Sequence, residues 1–133
     1  MSRIAFLGAL AALAAATGSY AAVQSGTLTA LAQIERGEWQ LRASDGSTRA
    51  ICVTDPRVLL QVRDRAAGCT NFVVENGANA GRITFSCPTG KTDTRITVET
   101  PRLVRIETQG ISRGLPFTEE YEGRRTGACK AGA

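Results

Sequence analysis

Three glutamates near the C-terminal end of the chain, Glu119, Glu120 and Glu122, are the residues whose types and spacing come closest to a catalytic set. Most glycosidases use a pair of carboxyl groups, one as general acid and the other as nucleophile or base. On a strand, Glu119 would take one face, and Glu120 and Glu122 the other. Glu99 and Glu107 form a second, wider pair. These residues allow a glutamate-dependent hydrolase as a hypothesis, but a solvated strand face balancing nearby arginines fits them better.

The sequence contains no histidine. This excludes Ser-His-Asp and Cys-His nucleophile systems, the H-E-x-x-H metal helix and the most common zinc and iron ligand sets. No glycine-rich phosphate loop opens a helix, which argues against nucleotide chemistry. The sequence therefore predicts no catalytic residue, no metal site and no cofactor, and we expect a protein that is not an enzyme.

Four cysteines, Cys52, Cys69, Cys87 and Cys129, contain no C-x-x-C pair among them. Neither a zinc knuckle nor a thioredoxin-type redox motif is therefore available. In a small exported domain, disulfides are the expected role of such cysteines. Free thiols in a reducing compartment are the alternative, and four cysteines allow three different pairings.

The elements that must position these residues are strands, because apolar and polar residues alternate with period two from Gly37 onward. Asp45-Gly46 and Asn76-Gly77 are typical of hairpin turns. The sequence predicts a mainly β fold, an antiparallel up-and-down meander of about seven strands forming a small or partly open barrel. The predicted strands cover approximately residues 38–43, 47–53, 70–75, 82–87, 94–99, 103–108 and 116–125.

One segment between the second and third predicted strands has a helical pattern instead. Asp55 suits an N-cap, Pro56 suits the first helical position, and Gly68 suits the end of the helix. The segment is predicted to be a short amphipathic helix bracketed by Cys52 and Cys69.

This bracketing favours a Cys52–Cys69 disulfide that pins the helix over one end of the sheet. Cys87 then joins Cys129 by elimination, which would hold down a terminal strand liable to fray. One objection leaves the pairing open. The fourth and seventh strands of a simple meander run in opposite directions, so Cys87 and Cys129 would finish at opposite ends of the sheet unless the tail folds back.

Gly37-Glu38-Trp39 in the first predicted strand, and Arg124 and Arg125 in the last, form a second constellation. Barrels of the lipocalin type also open with G-x-W, and an arginine from the final strand stacks over that tryptophan and closes the barrel end. Only one of the two arginines could do this, because adjacent side chains point to opposite faces. The alternative is a core tryptophan with two solvated arginines.

The first 21 residues have the pattern of a secretory signal peptide. A short basic start precedes an apolar run from Ile4 to Ala16, and small residues precede a cleavage site after Ala21. The run is shorter than the roughly 20 residues that a spanning helix needs, so no stable membrane anchor is expected after cleavage. We therefore predict a signal peptide over residues 1–21, an N-terminal lead-in over 22–36, a single disulfide-linked β domain over 37–129 and a short tail over 130–133. The predicted location is periplasmic or secreted.

Four sequence stretches, together with the predicted helix bracketed by Cys52 and Cys69, resemble a known family. They are "RGEWQLR", "RAICVTDP", "RITFSCPTG" and "YEGRRTGAC", and they span about Glu35 to Cys129. The ordered set is similar to small secreted bacterial proteins classed as domain of unknown function 3617. The resemblance implies export, two disulfides and a compact β domain, and it implies no activity, cofactor or catalytic residue.

The formal net charge is +4, from 16 basic and 12 acidic residues that are interspersed along the chain. Such a surface can favour acidic glycans, lipid headgroups or wall phosphates. Export, interspersed charge and few aromatic residues argue against a nucleic-acid partner. We predict a non-enzymatic binding or interaction module of the bacterial envelope that is monomeric and has a small apolar ligand or an envelope component as partner. An inhibitor of an envelope hydrolase such as a lysozyme is the alternative, and the glutamate-dependent hydrolase is third.

Overall fold

The structure, a computed structural model, describes residues 26–63 and 67–130, and one antiparallel sheet of seven strands dominates this part of the chain. The strands are β1 (Gly37–Ala43), β2 (Thr48–Val53), β3 (Thr70–Asn76), β4 (Ala80–Cys87), β5 (Gly90–Thr100), β6 (Leu103–Ser112) and β7 (Leu115–Gly127). The predicted mainly β, antiparallel fold is confirmed. The predicted signal peptide and the last three residues of the predicted tail lie outside the described residues.

The strand order in the sheet is β2-β1-β7-β6-β5-β4-β3. Strands from β3 to β7 follow one another as a meander, and β1 then pairs with β7, with Leu41 opposite Gly123. β2 and β3 are consecutive in the chain but lie at opposite edges of the sheet. The sheet is therefore open and does not close into a barrel.

Burial follows the alternation that the sequence predicts. On β5 the side chains of Thr94, Ile96 and Val98 are buried, and the residues between them are partly exposed. β6 repeats the pattern, and Ile96 lies directly opposite Ile106 in the register of the two strands. One face of the sheet, here called the inner face, therefore carries the core, since a period of two places alternate side chains on the same side.

Two short 3₁₀ turns cover the inner face of the open sheet. The first, Thr29–Gln33, precedes β1, and the second, Pro56–Leu60, follows β2. These turns and their flanking residues place seven side chains in the same core as the strands: Leu28, Ala30, Leu31, Ile34, Leu59, Leu60 and Val62. The lead-in before β1 thus contributes directly to the core, a role that the sequence did not reveal.

The predicted amphipathic helix is a single 3₁₀ turn, which corrects its length and type. The predicted start of the element is confirmed, since the Asp55 side chain accepts a hydrogen bond from the Arg57 amide and Pro56 occupies the first position of the turn. The turn ends at Gln61, whose φ of −131° is no longer helical. Leu59, Leu60 and Val62 are all buried, and an α-helix would spread these three side chains over a wide arc. A short turn followed by extended chain lets all of them reach the sheet.

The disulfides are Cys52–Cys129 and Cys69–Cys87, so the predicted pairing of Cys52 with Cys69 and of Cys87 with Cys129 is wrong. The cause is the pairing of β7 with β1. It brings the end of β7 beside the β1–β2 hairpin, where Cys129 meets Cys52 with 5.4 Å between their Cα atoms. Cys69 precedes the edge strand β3 and meets Cys87 at the end of β4, with a Cα separation of 4.2 Å. The antiparallel direction of neighbouring strands places these two positions at the same end of the sheet.

Trp39 lies at the centre of the core with no solvent exposure. Its indole Nε1 donates a hydrogen bond of 2.9 Å to the carbonyl oxygen of Glu35. A Cβ on the neighbouring Gly123 would come within 2.9 Å of Val104 and 3.5 Å of the Trp39 ring. The missing side chain at Gly123 thus makes room for the tryptophan, and the indole hydrogen bond satisfies its polar group.

We expect removal of either disulfide to destabilise the domain unequally. The Cys52–Cys129 bridge spans 77 positions and the Cys69–Cys87 bridge 18. Chain-entropy reasoning gives losses of about 4.5 and about 3 kcal/mol for the respective double Cys→Ser variants. Urea unfolding measures both losses. Peptide mapping without reduction tests the pairing, and recovery of a Cys52–Cys69 peptide would contradict it.

Trp39→Ala should lower the free energy of unfolding by about 3–5 kcal/mol, because it empties a large, fully buried site. Phe72→Ala is the matched control, since Phe72 is 45% exposed on β3 and should lose far less. Equal losses for the two variants in urea unfolding would show that Trp39 does not anchor the core.

Candidate functional site

The three glutamates of β7 separate onto two faces of the sheet, and each has a different environment. Glu119 lies on the inner face, where it accepts a hydrogen bond from the Tyr121 hydroxyl and forms an ion pair with Arg63. Glu120 is exposed on the outer face, and Glu122, also on that face, pairs with Arg124 at 2.7 Å. The Arg124 hydrogen bond holds the pKa of Glu122 below its usual value, which disfavours a general-acid role for this carboxyl group.

Glu119 belongs to a group of polar and aromatic side chains at one end of the inner face. We call this group the mouth cluster: Arg49 on β2, Arg63 after the second 3₁₀ turn, and Phe117, Glu119 and Tyr121 on β7. The Arg63 guanidinium lies 4.2 Å from the centre of the Phe117 ring, and Arg49 lies 5.9 Å from that of Tyr121. Both are cation–π distances. The cluster therefore links the β2 edge, the segment after the 3₁₀ turn, and β7.

Arg49 also anchors the segment after the second 3₁₀ turn, because its guanidinium donates to the carbonyl oxygen of Val62. This contact joins β2 to the chain that crosses the open side of the sheet. Arg49 and Arg63 together hold that chain against β7, and the two arginines have partners within the protein.

Burial raises the pKa of Tyr121 to about 12, and the hydrogen bond to Glu119 acts in the same direction. Both effects favour the neutral phenol, since ionisation would place a second negative charge beside the carboxylate. Tyr121 therefore stays a hydrogen-bond donor at neutral pH. The Glu119 carboxylate, engaged by Tyr121 and Arg63, is arranged as a structural acceptor.

A cavity of about 440 Å³ opens between the β1–β2 turn and β7. We call it the hairpin cleft. Its walls include Ser44 and Asp45 from the turn, and Thr118, Glu119 and Tyr121 from β7. The Asp45 carboxylate is already occupied, because it accepts hydrogen bonds from the amide and hydroxyl of Ser47. The cleft is therefore polar and open at the rim of the sheet.

The floor of the hairpin cleft is the unpaired side of β7. The ladder between β1 and β7 ends where Ala43 faces Tyr121, and residues 115–120 of β7 pair only with β6. The Arg125 amide bonds to Arg102 on the β6 side, whereas the Glu120 carbonyl accepts from the Ser44 hydroxyl on the β1 side. The backbone N–H and C=O groups of successive residues point to alternate sides of a strand. Thr118 lies two residues before Glu120, so its N–H and C=O point to the same side as those of Glu120, into the cleft.

Trp39, Arg124 and Arg125 lie near one another, but not in the predicted closing stack. Arg125 is opposite Trp39 in the register, and its Nε donates to the carbonyl oxygen of Arg36 at 2.8 Å. Its guanidinium lies against Gly37, where a Cβ would come within 2.7 Å. In residues 26–63 and 67–130, arginines lie over the rings of Tyr121 and Phe117 and not over that of Trp39. Arg125 thus fastens β7 to the chain before β1 and closes no barrel.

The remaining carboxylates do not form a metal site within the described ranges, which contain no group of three or more potential ligands. Glu99 pairs with Arg105 at 3.4 Å. Glu107 lies directly opposite Glu120 on the outer face, an unfavourable arrangement for like charges.

Across the same described ranges, no helix has the length and apolar character required to cross a membrane. The two disulfides indicate an oxidising extracellular or periplasmic location.

Sequence reasoning singled out Glu119 but missed Arg49, Arg63, Phe117 and Tyr121 as its neighbours. These residues come from three separate segments, which meet only because β7 pairs with β1. The one local signal was the alternation of Phe117, Glu119 and Tyr121 on a single strand face.

The chain matches no protein-family model, no curated protein and no solved structure. The resemblance to domain of unknown function 3617 stays a prediction.

The neutral Tyr121 side chain contributes to the stability of the domain, and this contribution is lost at alkaline pH. The pKa of Tyr121 is about 12 in the folded protein, above the usual value of 10.0 for a tyrosine side chain. The contribution is therefore complete below pH 10 and is lost as the pH rises towards 12. Tyr121→Phe should lose less stability over this interval than the parent protein, as measured by urea midpoints. Equal pH dependence of the two proteins would contradict the assignment.

Proposed function

We propose that the protein is a non-enzymatic binding module that accepts an extended peptide segment of a partner at the hairpin cleft. The observation that carries this proposal is the unpaired side of β7 over residues 115–120. An extended peptide can add to such an edge by main-chain hydrogen bonds, which supply affinity, while its alternate side chains supply specificity. The segment would continue the line of β1 beyond Ala43.

The main chain of β7 defines where such a peptide can bind. Thr118 offers both its N–H and its C=O, and Glu120 offers its N–H on the same side. Pro116 offers only a carbonyl oxygen, since proline has no N–H. Pro116 also blunts the outer end of the edge, a known protection of exposed strands against indiscriminate pairing. The available groups therefore favour a short peptide centred on Thr118.

The outer face supplies charge selectivity. Glu107 and Glu120 face each other, and neither forms an ion pair with another residue of the described ranges. A lysine or arginine of the peptide, placed beside Glu120, would relieve this like-charge contact. We therefore expect a basic peptide to bind more tightly than an acidic one.

An edge site accounts for the structure better than an enclosed apolar pocket. The inner face is filled by the protein's own residues, including Leu28, Leu59 and Trp39, which are at most 1% exposed. Binding of a small apolar ligand there would require displacing a packed core. The engagement of Glu119 by Tyr121 and Arg63 likewise supports a binding role over a hydrolase.

The proposed setting is the periplasm or the exterior of a bacterial cell. The two disulfides support an oxidising compartment, and the predicted signal peptide over residues 1–21 and the family resemblance point in the same direction. An inhibitor of an envelope hydrolase would be a special case in which the enzyme supplies the peptide segment. Lysozymes are usually basic, so the net charge of +4 disfavours that enzyme as a partner.

The peptide acetyl-Thr-Lys-Val-Lys-Thr-amide provides a direct test by NMR titration. We expect chemical-shift changes and slower hydrogen exchange at the Thr118 and Glu120 amides. Thr118→Pro should weaken binding by about tenfold, because it removes one main-chain donor and its hydrogen bond. Proline is tolerated at an edge position whose nitrogen faces away from the ladder, so this variant should keep the β6–β7 pairing.

N-methylated peptides provide a control that leaves the protein unchanged. Methyl groups on one alternate set of peptide nitrogens should abolish binding, and methyl groups on the other set should not. The peptide in which glutamate replaces both lysines should bind more weakly, and Glu120→Gln should reduce the difference. Absence of binding, or equal effects of the two methylation sets, would overturn the proposed strand addition.

A further inference from the structure

The tip of the β6–β7 hairpin exposes large apolar side chains. Ile111 is 53% exposed and Leu115 is 71% exposed, the highest values among the exposed large apolar residues of the described chain. Pro116, adjacent to Leu115, is also exposed. Single exposed apolar residues are ordinary, but a cluster at the end of a projecting element is typical of an interaction site.

These apolar residues lie on both faces of the hairpin. Ile111 faces Pro116 in the register, whereas Leu115 faces Ser112, the next pair along. Adjacent pairs of a hairpin point to opposite sides of the sheet. The tip is therefore an apolar wedge, and it is not one side of a flat apolar surface.

The charges around the tip are all of one sign. Between residues 88 and 92 and between residues 110 and 117, the only charged residues are Lys91 and Arg113, and both are exposed. The nearest acidic residues on β5 and β7 are already paired, Asp93 with Arg82 at 2.8 Å and Glu119 with Arg63, and the nearest one on β6, Glu107, lies four positions before Ile111. An apolar wedge flanked by basic groups complements a surface with anionic groups outside and hydrocarbon beneath.

The tip has a defined shape. Arg113 and Gly114, with φ angles of 52° and 80°, connect β6 to β7 as the two residues of a tight turn, and positive φ angles at both positions match a type I′ hairpin. The Arg113 amide donates to the Thr89 carbonyl at 2.8 Å, which ties the tip to the turn between β4 and β5. Lys91 lies opposite Ile111 in the register of β5 and β6. The basic and apolar groups are thus held together before any partner binds.

We propose that the hairpin tip, defined by Lys91, Ile111, Arg113 and Leu115, inserts reversibly into the surface of an anionic lipid bilayer. The two apolar faces distinguish this partner from a protein. A protein, including a second copy of this chain, would cover one face of the hairpin and leave the other apolar side chain in water. A fluid interface surrounds a wedge on both sides. The proposal is independent of peptide binding at the hairpin cleft.

Co-sedimentation with vesicles tests the proposal. The protein should bind vesicles of equimolar phosphatidylglycerol and phosphatidylcholine, and it should bind pure phosphatidylcholine more weakly. Each of Lys91→Gln and Arg113→Gln should weaken binding to the anionic vesicles by about fivefold, as expected for one basic residue near a charged surface. The double variant Ile111→Ser with Leu115→Ser should reduce binding at least as strongly. The double variant Phe72→Ser with Val74→Ser is the matched control, because it removes exposed apolar residues of β3 and should leave binding unchanged.

A fluorescent reporter separates insertion from adsorption by charge. The single native tryptophan, Trp39, is fully buried and gives a constant background. Leu115→Trp should shift its emission to shorter wavelength with anionic vesicles, and Phe72→Trp should not. No binding to anionic vesicles, equal binding by the Ile111 and Leu115 double variant, or a shift at position 72 and not at 115 would each overturn the proposal. A concentration-dependent dimer that disappears in the double variant, without vesicle binding, would identify a second copy as the partner instead.

Discussion

Covalent fixation of both sheet edges is the constraint on which the rest of the structure depends. An open sheet has two edge strands, each with unpaired main-chain groups that invite fraying or association. The Cys52–Cys129 disulfide ties the edge strand β2 to the chain beyond β7 and so spans β1. The Cys69–Cys87 disulfide ties the start of the other edge strand, β3, to the end of β4. Because each bridge holds a different edge, the sheet can stay open without losing its outer strands.

An open sheet must also cover its inner face, and here short irregular segments do so. The chain before β1 and the chain after β2 bring Leu28 and Leu59 over the strands. The lead-in follows the β3 edge closely, since the Asn71 and Asn76 side chains accept hydrogen bonds from the amides of Gly26 and Thr29. The interior is consequently filled by the chain itself, and the polar groups that a partner can reach lie at the rim of the sheet. A packed interior of this kind favours a binding site at the hairpin cleft over an internal pocket.

The sequence was sufficient for the parts of the fold that depend on local alternation. Seven strands, the inner face of residues such as Ile83 and Ile96, and the Asp55 cap can all be inferred from spacing and turn residues. The pairing of β7 with β1 cannot, because it joins positions such as Leu41 and Gly123, which are far apart in sequence and carry no local signal of contact. The disulfide pairing was predicted wrongly because this one strand pairing was not foreseen. The mouth cluster was missed for the same reason, since Arg49, Arg63 and Tyr121 meet only through it.

Unequal strand lengths explain why two candidate sites lie near the same end of the molecule. β1 and β2 have 7 and 6 residues, whereas β6 and β7 have 10 and 13. The longer hairpin therefore extends past the shorter one, which leaves one side of β7 unpaired and projects the tip beyond it. Close approach to β5 stabilises this extension: a Cβ at Gly110 would lie 2.0 Å from the Lys91 carbonyl oxygen, and one at Gly90 would lie 1.8 Å from that of Ile111. Side chains at these two glycines would force β5 and β6 apart at the base of the tip, so the same backbone contact that supports the projecting hairpin also keeps Lys91 beside Ile111.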